Sequence, residues 1–250
     1  MSSLDPLDLR RIDEACSPRT ALTEKRYEAM VARRAAGEPL QYVLGSWGFR
    51  TLDLLVDRRV LIPRPETEWV VEQALRRLPA DVECIALDLG TGSGAIALSI
   101  AVERPRARVV ATDSSPDALA VARANLAGIG RAGTRVELRE GDWWAAVGDE
   151  QFDLVIANPP YVAVDDELPA EVADWEPMGA LVPGQTGLEA LAVIIAGAAS
   201  HLRPGGWLVC EIGETQGSAV RALAADAGLV DVDVLPDLNG RDRVLVAGRP

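Results

Sequence analysis

The sequence predicts an α/β fold: a mostly parallel, seven-stranded sheet with helices on both faces and its last strand pair antiparallel, preceded by a short helical piece and a β-hairpin. Three observations predict it. From residue 84 onward, short apolar runs alternate with helical patterns, the order that parallel strands joined by crossover helices require. That alternation fails once, near the end, where only Pro236-Asp237-Leu238-Asn239-Gly240-Arg241 separates two strand-like runs. With no helix between them, they should form a reversed antiparallel hairpin at the sheet edge. Finally, a glycine-rich stretch, Asp88-Leu89-Gly90-Thr91-Gly92-Ser93-Gly94-Ala95, joins the first of these strands to the first helix.

Taken in order, residues 1–20 carry no strong pattern. Thr23-Glu24 opens a helix through about Ala36, with Tyr27, Met30, Val31 and Arg34 at helical spacing and Gly37 as its stop. Leu40, Tyr42 and Leu44 then alternate, Gly45-Ser46-Trp47-Gly48-Phe49 follows, and Leu52, Leu54 and Val56 alternate again, which reads as a β-hairpin. In Leu61-Ile62-Pro63-Arg64-Pro65-Glu66-Thr67-Glu68, Pro65 suits the first turn of a helix, and Glu66 and Glu68 suit its positive end. Strands are expected at 84–89, 108–113, 134–139, 152–157, 206–212, 229–235 and 242–247, and helices at 94–103, 116–127, 188–201 and 215–227. The chain thus divides into an N-terminal helical segment (1–38), a hairpin linker (39–62) and a main domain (63–250).

Composition narrows the function. The 250 residues are 48% hydrophobic and 25% charged, which suits one large domain with a small attachment. A net charge of −13 opposes tight, sequence-independent binding to nucleic acid, which needs cations facing phosphate. Arg10, Arg11, Arg19, Lys25, Arg26, Arg33 and Arg34 make the first forty residues the most basic part, either a solvated helix face or a docking surface. No apolar run reaches the ~20 residues that span a bilayer. Met1-Ser2-Ser3-Leu4-Asp5 lacks the basic start and apolar stretch of a signal peptide, so a cytoplasmic protein is expected. Cys16, Cys84 and Cys210 are widely spaced; no metal-ligand spacing exists, and no metal is expected.

The glycine stretch lets a turn tighten and a ligand approach the backbone, while the following helix N-terminus favours a carboxylate or phosphate. The next strand ends in Asp113, placed to accept hydrogen bonds from both ribose hydroxyls. Asp88, Gly90, Thr91, Gly92, Ser93, Gly94 and Asp113 therefore predict an adenosine-type cofactor, and Gly90, Gly92 and Ala95 would satisfy a dinucleotide pattern too. Asp142-Trp143, after the third strand, can meet an adenine edge and face. At the end of the fourth strand stands Asn158-Pro159-Pro160-Tyr161. Two prolines stiffen this turn and leave carbonyls free to accept, and Tyr161 adds an aromatic face. Such a cradle suits a planar –NH2 group conjugated to a π system. His201, the only histidine, reads as a helix-end or solvent-facing residue.

These motifs resemble those of a class I methyltransferase dependent on S-adenosyl-L-methionine (AdoMet), with its Rossmann-like sheet, acting on a conjugated nitrogen. Gly37-Glu38-Pro39-Leu40-Gln41-Tyr42-Val43-Leu44-Gly45, Leu61 to Glu68, Glu176-Pro177, Glu211-Ile212-Gly213 and Asp237-Leu238-Asn239-Gly240-Arg241-Asp242-Arg243 resemble the PrmC/HemK family. That resemblance, over roughly residues 22–248, implies methylation of the side-chain amide N5 of glutamine in the Gly-Gly-Gln motif of peptide chain release factors. It also implies AdoMet held by the glycine loop, Asp113, Asp142, Trp143 and Asn158, and the glutamine amide held by Asn158, Pro159, Pro160 and Tyr161. Phe49, Arg64 and Glu66 would wall the pocket. The family's N-terminal helical bundle docks the release factor; residues 22–37 match its last helix, but residues 1–20 do not suggest the rest, so a short docking segment is expected. A monomer without direct nucleic-acid or membrane contacts is expected. The alternatives are an adenine-N6 nucleic-acid methyltransferase, which shares the Asn-Pro-Pro-Tyr type of motif, and an idle AdoMet-binding partner of the translation machinery.

Overall fold

The computed structural model describes residues 4–18 and 20–250; Met1, Ser2, Ser3 and Arg19 lie outside it, and with them part of the chain-start reading and one member of the basic group. The chain opens with α1 (Pro6–Ala15), α2 (Ala21–Ala35) and α3 (Leu40–Leu44), followed by a hairpin of β1 (Ser46–Phe49) and β2 (Leu52–Leu55). Then come α4 (Pro65–Arg77), β3 (Cys84–Leu89), α5 (Ala95–Glu103), β4 (Ala107–Asp113), α6 (Pro116–Gly128), β5 (Val136–Glu140) and β6 (Phe152–Ala157). The chain ends with α7 (Ala170–Ala173), α8 (Glu189–His201), β7 (Leu202–Glu211), α9 (Gly217–Asp226), β8 (Val230–Pro236) and β9 (Asp242–Gly248).

Among the described residues the main sheet has seven strands in the order β5-β4-β3-β6-β7-β9-β8. The first five are mutually parallel, and β9 runs antiparallel to both β7 and β8. The expected antiparallel pair at the edge is present: β9 pairs with β8 and lies between it and β7, so β9 alone is reversed. Burial explains the choice. Val244, Leu245, Val246 and Ala247 of β9 are all buried, whereas β8 alternates polar residues, buries Val234 and ends in Pro236, as an edge strand tolerates.

At the N-terminal end the structure fills one stretch and corrects one expectation. The stretch without a pattern contains α1, started by Pro6 and capped by the Asp5 carboxylate, which accepts from Leu7 N at 2.8 Å. The alternating Leu40, Tyr42 and Leu44 form a short helix and not a strand. Leu40 and Val43, also helically spaced, pack with Ile12, Cys16 and Met30, while the Tyr42 hydroxyl donates to Val60 O at 2.6 Å. Gly45 ends this helix at φ 82°, in the left-handed region.

The basic residues of this region are largely engaged within the protein. Arg10 pairs with Glu14, Arg33 with Glu38, and Arg34 with both Asp8 (2.6 Å) and Glu171 (2.9 Å). The Arg11 guanidinium lies 5.0 Å from the Trp47 ring centre. Arg34 thereby ties the helical piece to α7. The sheet core splits into two apolar clusters: α4 and α5 supply one through Val70, Val71, Ile96 and Ile100, and α8 and α9 supply the other through Leu191, Ile194 and Val220. All three cysteines are free and buried. No helix of the described residues is long and apolar enough to cross a membrane.

Candidate active site

The carboxyl ends of β3, β4 and β6 converge on a cavity of about 300 Å³, where ligands of open α/β sheets bind. Gly90, Thr91, Gly92 and Ser93 line one side, Asp113, Asp142 and Trp143 another, and Asn158 and Pro160 a third.

The glycine loop follows β3 because Gly90, Gly92 and Gly94 adopt φ of 71°, 55° and 86°, where a side chain would strain the backbone. Asp88 ties the loop from below. One carboxylate oxygen accepts from the Thr91 hydroxyl at 2.6 Å and from Ala97 N at 3.1 Å. Asp88 has no exposed surface and does not line the cavity, and its burial pushes its pKa up to about 7. Gly94 also lies off the cavity wall, as the N-cap of α5.

At the end of β4, Asp113 accepts from Gly92 N and from Ser115 N, both at 2.9 Å, so backbone N–H groups fix its carboxylate in orientation. Burial raises its pKa, opposed by those N–H donors. Each carboxylate oxygen retains a further lone pair for a hydroxyl of a bound ligand. Trp143 stands at φ 44°, uncommon for a bulky residue, with its ring against Gly90; a Cβ on Gly90 would lie 3.5 Å from that indole. An open loop over a helix N-terminus, a fixed carboxylate and an indole wall fit an adenosine-type cofactor with an acidic or zwitterionic tail.

On the third side, Asn158 follows the buried strand β6 and is half-buried; its Nδ2 donates to Thr67 Oγ1 at 3.0 Å. Pro159 is buried, Pro160 faces the cavity, and Tyr161 turns away from it. The Tyr161 ring packs on the α8 side of the sheet, and its hydroxyl donates to Glu211 Oε1 at 3.1 Å. Burial, then the Glu211 charge, raises the Tyr161 pKa. Phe49 is 1% exposed and sits in the core with Val70 and Val71. Arg64, at the head of α4, is paired with Glu176, whose other oxygen accepts from Ile62 N at 3.1 Å. Neither Phe49, Arg64 nor Glu66 lines the cavity. His201 stacks on Trp144 at the end of α8.

Sequence reasoning gave no role to Thr67, Glu211, Arg243 or Gln216. The first three lie in segments noted above for their secondary structure and their family resemblance, with no chemistry read from them. In the fold, Thr67 donates to Glu211 Oε2 at 2.7 Å, Arg243 Nη1 lies 3.5 Å from the Tyr161 hydroxyl, and Gln216 Nε2 donates to Tyr161 O at 3.0 Å. The cavity also takes Val60, Leu61, Pro63, Pro177 and Ala180, which a local reading of sequence does not flag.

Residues 72–173 match the Methyltransferase small domain family, and residues 5–45 match the PrmC N-terminal domain, which takes in the stretch that carries no pattern in sequence. The release factor glutamine methyltransferase of Xylella fastidiosa is 50% identical over 234 residues, covering 93% of this chain and 84% of that one. That of Moorella thermoacetica is 48% identical over 248 residues, covering 98% of this chain and 86% of that one. Among solved structures, a T. thermophilus 16S rRNA N2 methyltransferase in complex with AdoMet and guanosine has the same fold, with a TM-score of 0.59 at 19% identity over 82% of this chain and 50% of that one. With half of its residues identical to such a relative over most of both chains, this protein belongs to the release factor glutamine methyltransferase family.

Proposed function

We propose that this protein transfers a methyl group from AdoMet to the side-chain amide nitrogen of the glutamine in the Gly-Gly-Gln motif of release factors. One observation carries the reading: a single cavity is lined both by the nucleoside-binding elements Gly90–Ser93, Asp113 and Trp143 and by Asn158 and Pro160. A cofactor and a carboxamide can therefore meet in one space.

AdoMet, when bound, supplies an activated methyl group; the protein's residues do the rest. Asp113 takes the ribose hydroxyls, Asp142 and Trp143 the adenine, and the glycine loop with the α5 N-terminus the charged tail. Asn158 Oδ1 accepts one hydrogen of the glutamine –NH2 and the Pro159 carbonyl the other, holding the nitrogen in line for attack. An amide nitrogen is a poor nucleophile because its lone pair is delocalised into the carbonyl. Two acceptors on its hydrogens stabilise the positive charge that develops as it attacks. The proton leaves afterwards, from a nitrogen made acidic by methylation. Tyr161 stiffens the far end of the turn. Arg64, the N-cap of α4, and Glu66, in its first turn, flank the segment that brings Thr67 to Asn158 from behind the cavity wall, and Phe49 packs in the core. Residues 1–38 dock the release factor, 39–62 link, and 63–250 carry the transfer; the enzyme works as a cytoplasmic monomer, without metal.

Mass spectrometry of a recombinant release factor incubated with the protein and AdoMet tests this. One added methylene on the glutamine of the Gly-Gly-Gln peptide is expected. An unmodified peptide, or equal transfer to adenine in DNA, would refute it.

A further inference from the structure

An asparagine carboxamide has two chemically opposite ends. Turned one way it shows the cavity an acceptor, turned the other a donor. Only the first receives an –NH2 group, so something must choose the orientation. The chain of hydrogen bonds behind Asn158 makes that choice.

Glu211, at the end of β7, is 1% exposed, and both its oxygens receive hydrogen bonds: Oε2 from the Thr67 hydroxyl at 2.7 Å and Oε1 from the Tyr161 hydroxyl at 3.1 Å. An ionised carboxylate only accepts. Thr67 is 4% exposed and has a single hydroxyl proton, which the carboxylate claims. The Thr67 oxygen is then left with lone pairs toward Asn158, 3.0 Å away, and only an amide NH2 can meet them. The carbonyl end of Asn158 is thereby turned away from Thr67.

We infer that Glu211, acting through Thr67, fixes the orientation of the Asn158 carboxamide so that the cavity presents an acceptor, which makes Thr67 and Glu211 positioning residues for a primary-amide substrate. This rests on the function proposed above. The same carboxylate holds Tyr161, so both ends of the Asn158–Tyr161 turn are anchored to one group. The sequence brings the parts from far apart: Thr67 from the first turn of α4, Asn158 from the turn after β6 and Glu211 from β7. The segments around Pro65 and Glu211, outside the glycine loop and the Asn-Pro-Pro-Tyr turn, thereby gain a role in the reaction.

The test compares wild type with Thr67→Val, Thr67→Ser and Glu211→Gln, measuring kcat and KM on a release-factor domain carrying the Gly-Gly-Gln loop, and AdoMet dissociation by calorimetry. Valine matches threonine in shape but neither accepts nor donates. Thr67→Val should lower kcat about tenfold or more, as expected for a buried group left without its partner. AdoMet affinity should stay as in wild type, and Thr67→Ser should restore turnover. In Glu211→Gln the acceptor-only restriction is lifted and both Asn158 orientations are populated, so kcat should fall again with AdoMet affinity unchanged. Should Thr67→Val not fold, the Glu211→Gln result decides, and unchanged kcat in it overturns the inference. So does Thr67→Val turning over as fast as wild type, or Thr67→Ser being as slow as Thr67→Val. Wild-type protein that adds no methyl to the glutamine instead overturns the proposed function itself.

Discussion

Replacing Asn158 with alanine separates chemistry from cofactor binding more sharply than any other single change. Among the described residues Asn158 makes one side-chain hydrogen bond, from Nδ2 to Thr67 Oγ1 at 3.0 Å, and it is half-buried. Losing that bond should cost about 0.5–1.5 kcal/mol of stability, because Thr67 keeps its stronger bond to Glu211. In a domain of this size such a loss lowers the melting temperature by only a few degrees, roughly 2–4 °C per kcal/mol. Most of the AdoMet affinity should persist, since the loop, Asp113 and Trp143 are untouched. Turnover should not persist. The lost oxygen is an acceptor aimed at charge that develops only as the amide nitrogen attacks, and removal of one such preorganised group typically costs about 10²–10³ in kcat. A radiolabelled methyl-transfer assay on the Gly-Gly-Gln loop, with calorimetric AdoMet titration alongside, reads both quantities. If Asn158→Ala turns over within about threefold of wild type, the carboxamide-acceptor mechanism is wrong.

Three further outcomes follow from the same structure. AdoMet at about a hundredfold above its dissociation constant should raise the melting temperature by roughly 5–10 °C and NAD should leave it unchanged; a shift with NAD alone would restore the dinucleotide reading. Gly187 sits at φ 76°, and a Cβ there would collide with the Tyr161 carbonyl oxygen, so Gly187→Ala should destabilise the protein and slow transfer together, as thermal melting and the methyl-transfer assay would show. Asp88, with its pKa raised from 3.8 to about 7, holds a proton in the folded chain that the unfolded chain has lost between those values. Stability from this group therefore falls as pH rises through that window, at about 1.4 kcal/mol per pH unit, and denaturant titrations should show the stability difference between wild type and Asp88→Asn shrinking or reversing as pH rises from 5 to 7. A difference that does not vary with pH would show that Asp88 is ionised throughout.

Much of the main sheet was legible because its signals are local. Apolar runs such as Cys84–Leu89 and Phe152–Ala157, each holding a single aspartate, have the length of strands buried on both faces, and both have the expected bounds. Partner choice was harder. Nothing in the turn from Pro236 to Arg241 says which of its two strands lies at the edge and which against β7; the greater burial of β9 decides that, and it depends on the whole sheet. At the other end, a five-residue segment such as Leu40–Leu44 fits a period of 2 and a period of 3.6 equally well, and contacts with Ile12 and Met30 settle it as helix.

The cavity shows the same division. Gly90, Gly92, Asp113 and Asn158 stand out because a turn, a sheet edge and a proline pair make them unusual where they are. Thr67 and Glu211 are ordinary residue types, and the bond between them joins positions 144 apart in the chain. A buried carboxylate is a poor way to gain stability. Its desolvation raises its pKa, and an apolar side chain of similar volume would avoid that cost. Here the charge is offset by the hydroxyls of Thr67 and Tyr161 and by nearby Arg243, and each of the two hydroxyls takes a fixed hydrogen-bond direction from it. What an apolar residue cannot supply is that direction. A pocket that must tell a carboxamide's hydrogens from its oxygen needs its own amide to face one way, and a group that can only accept is what enforces it.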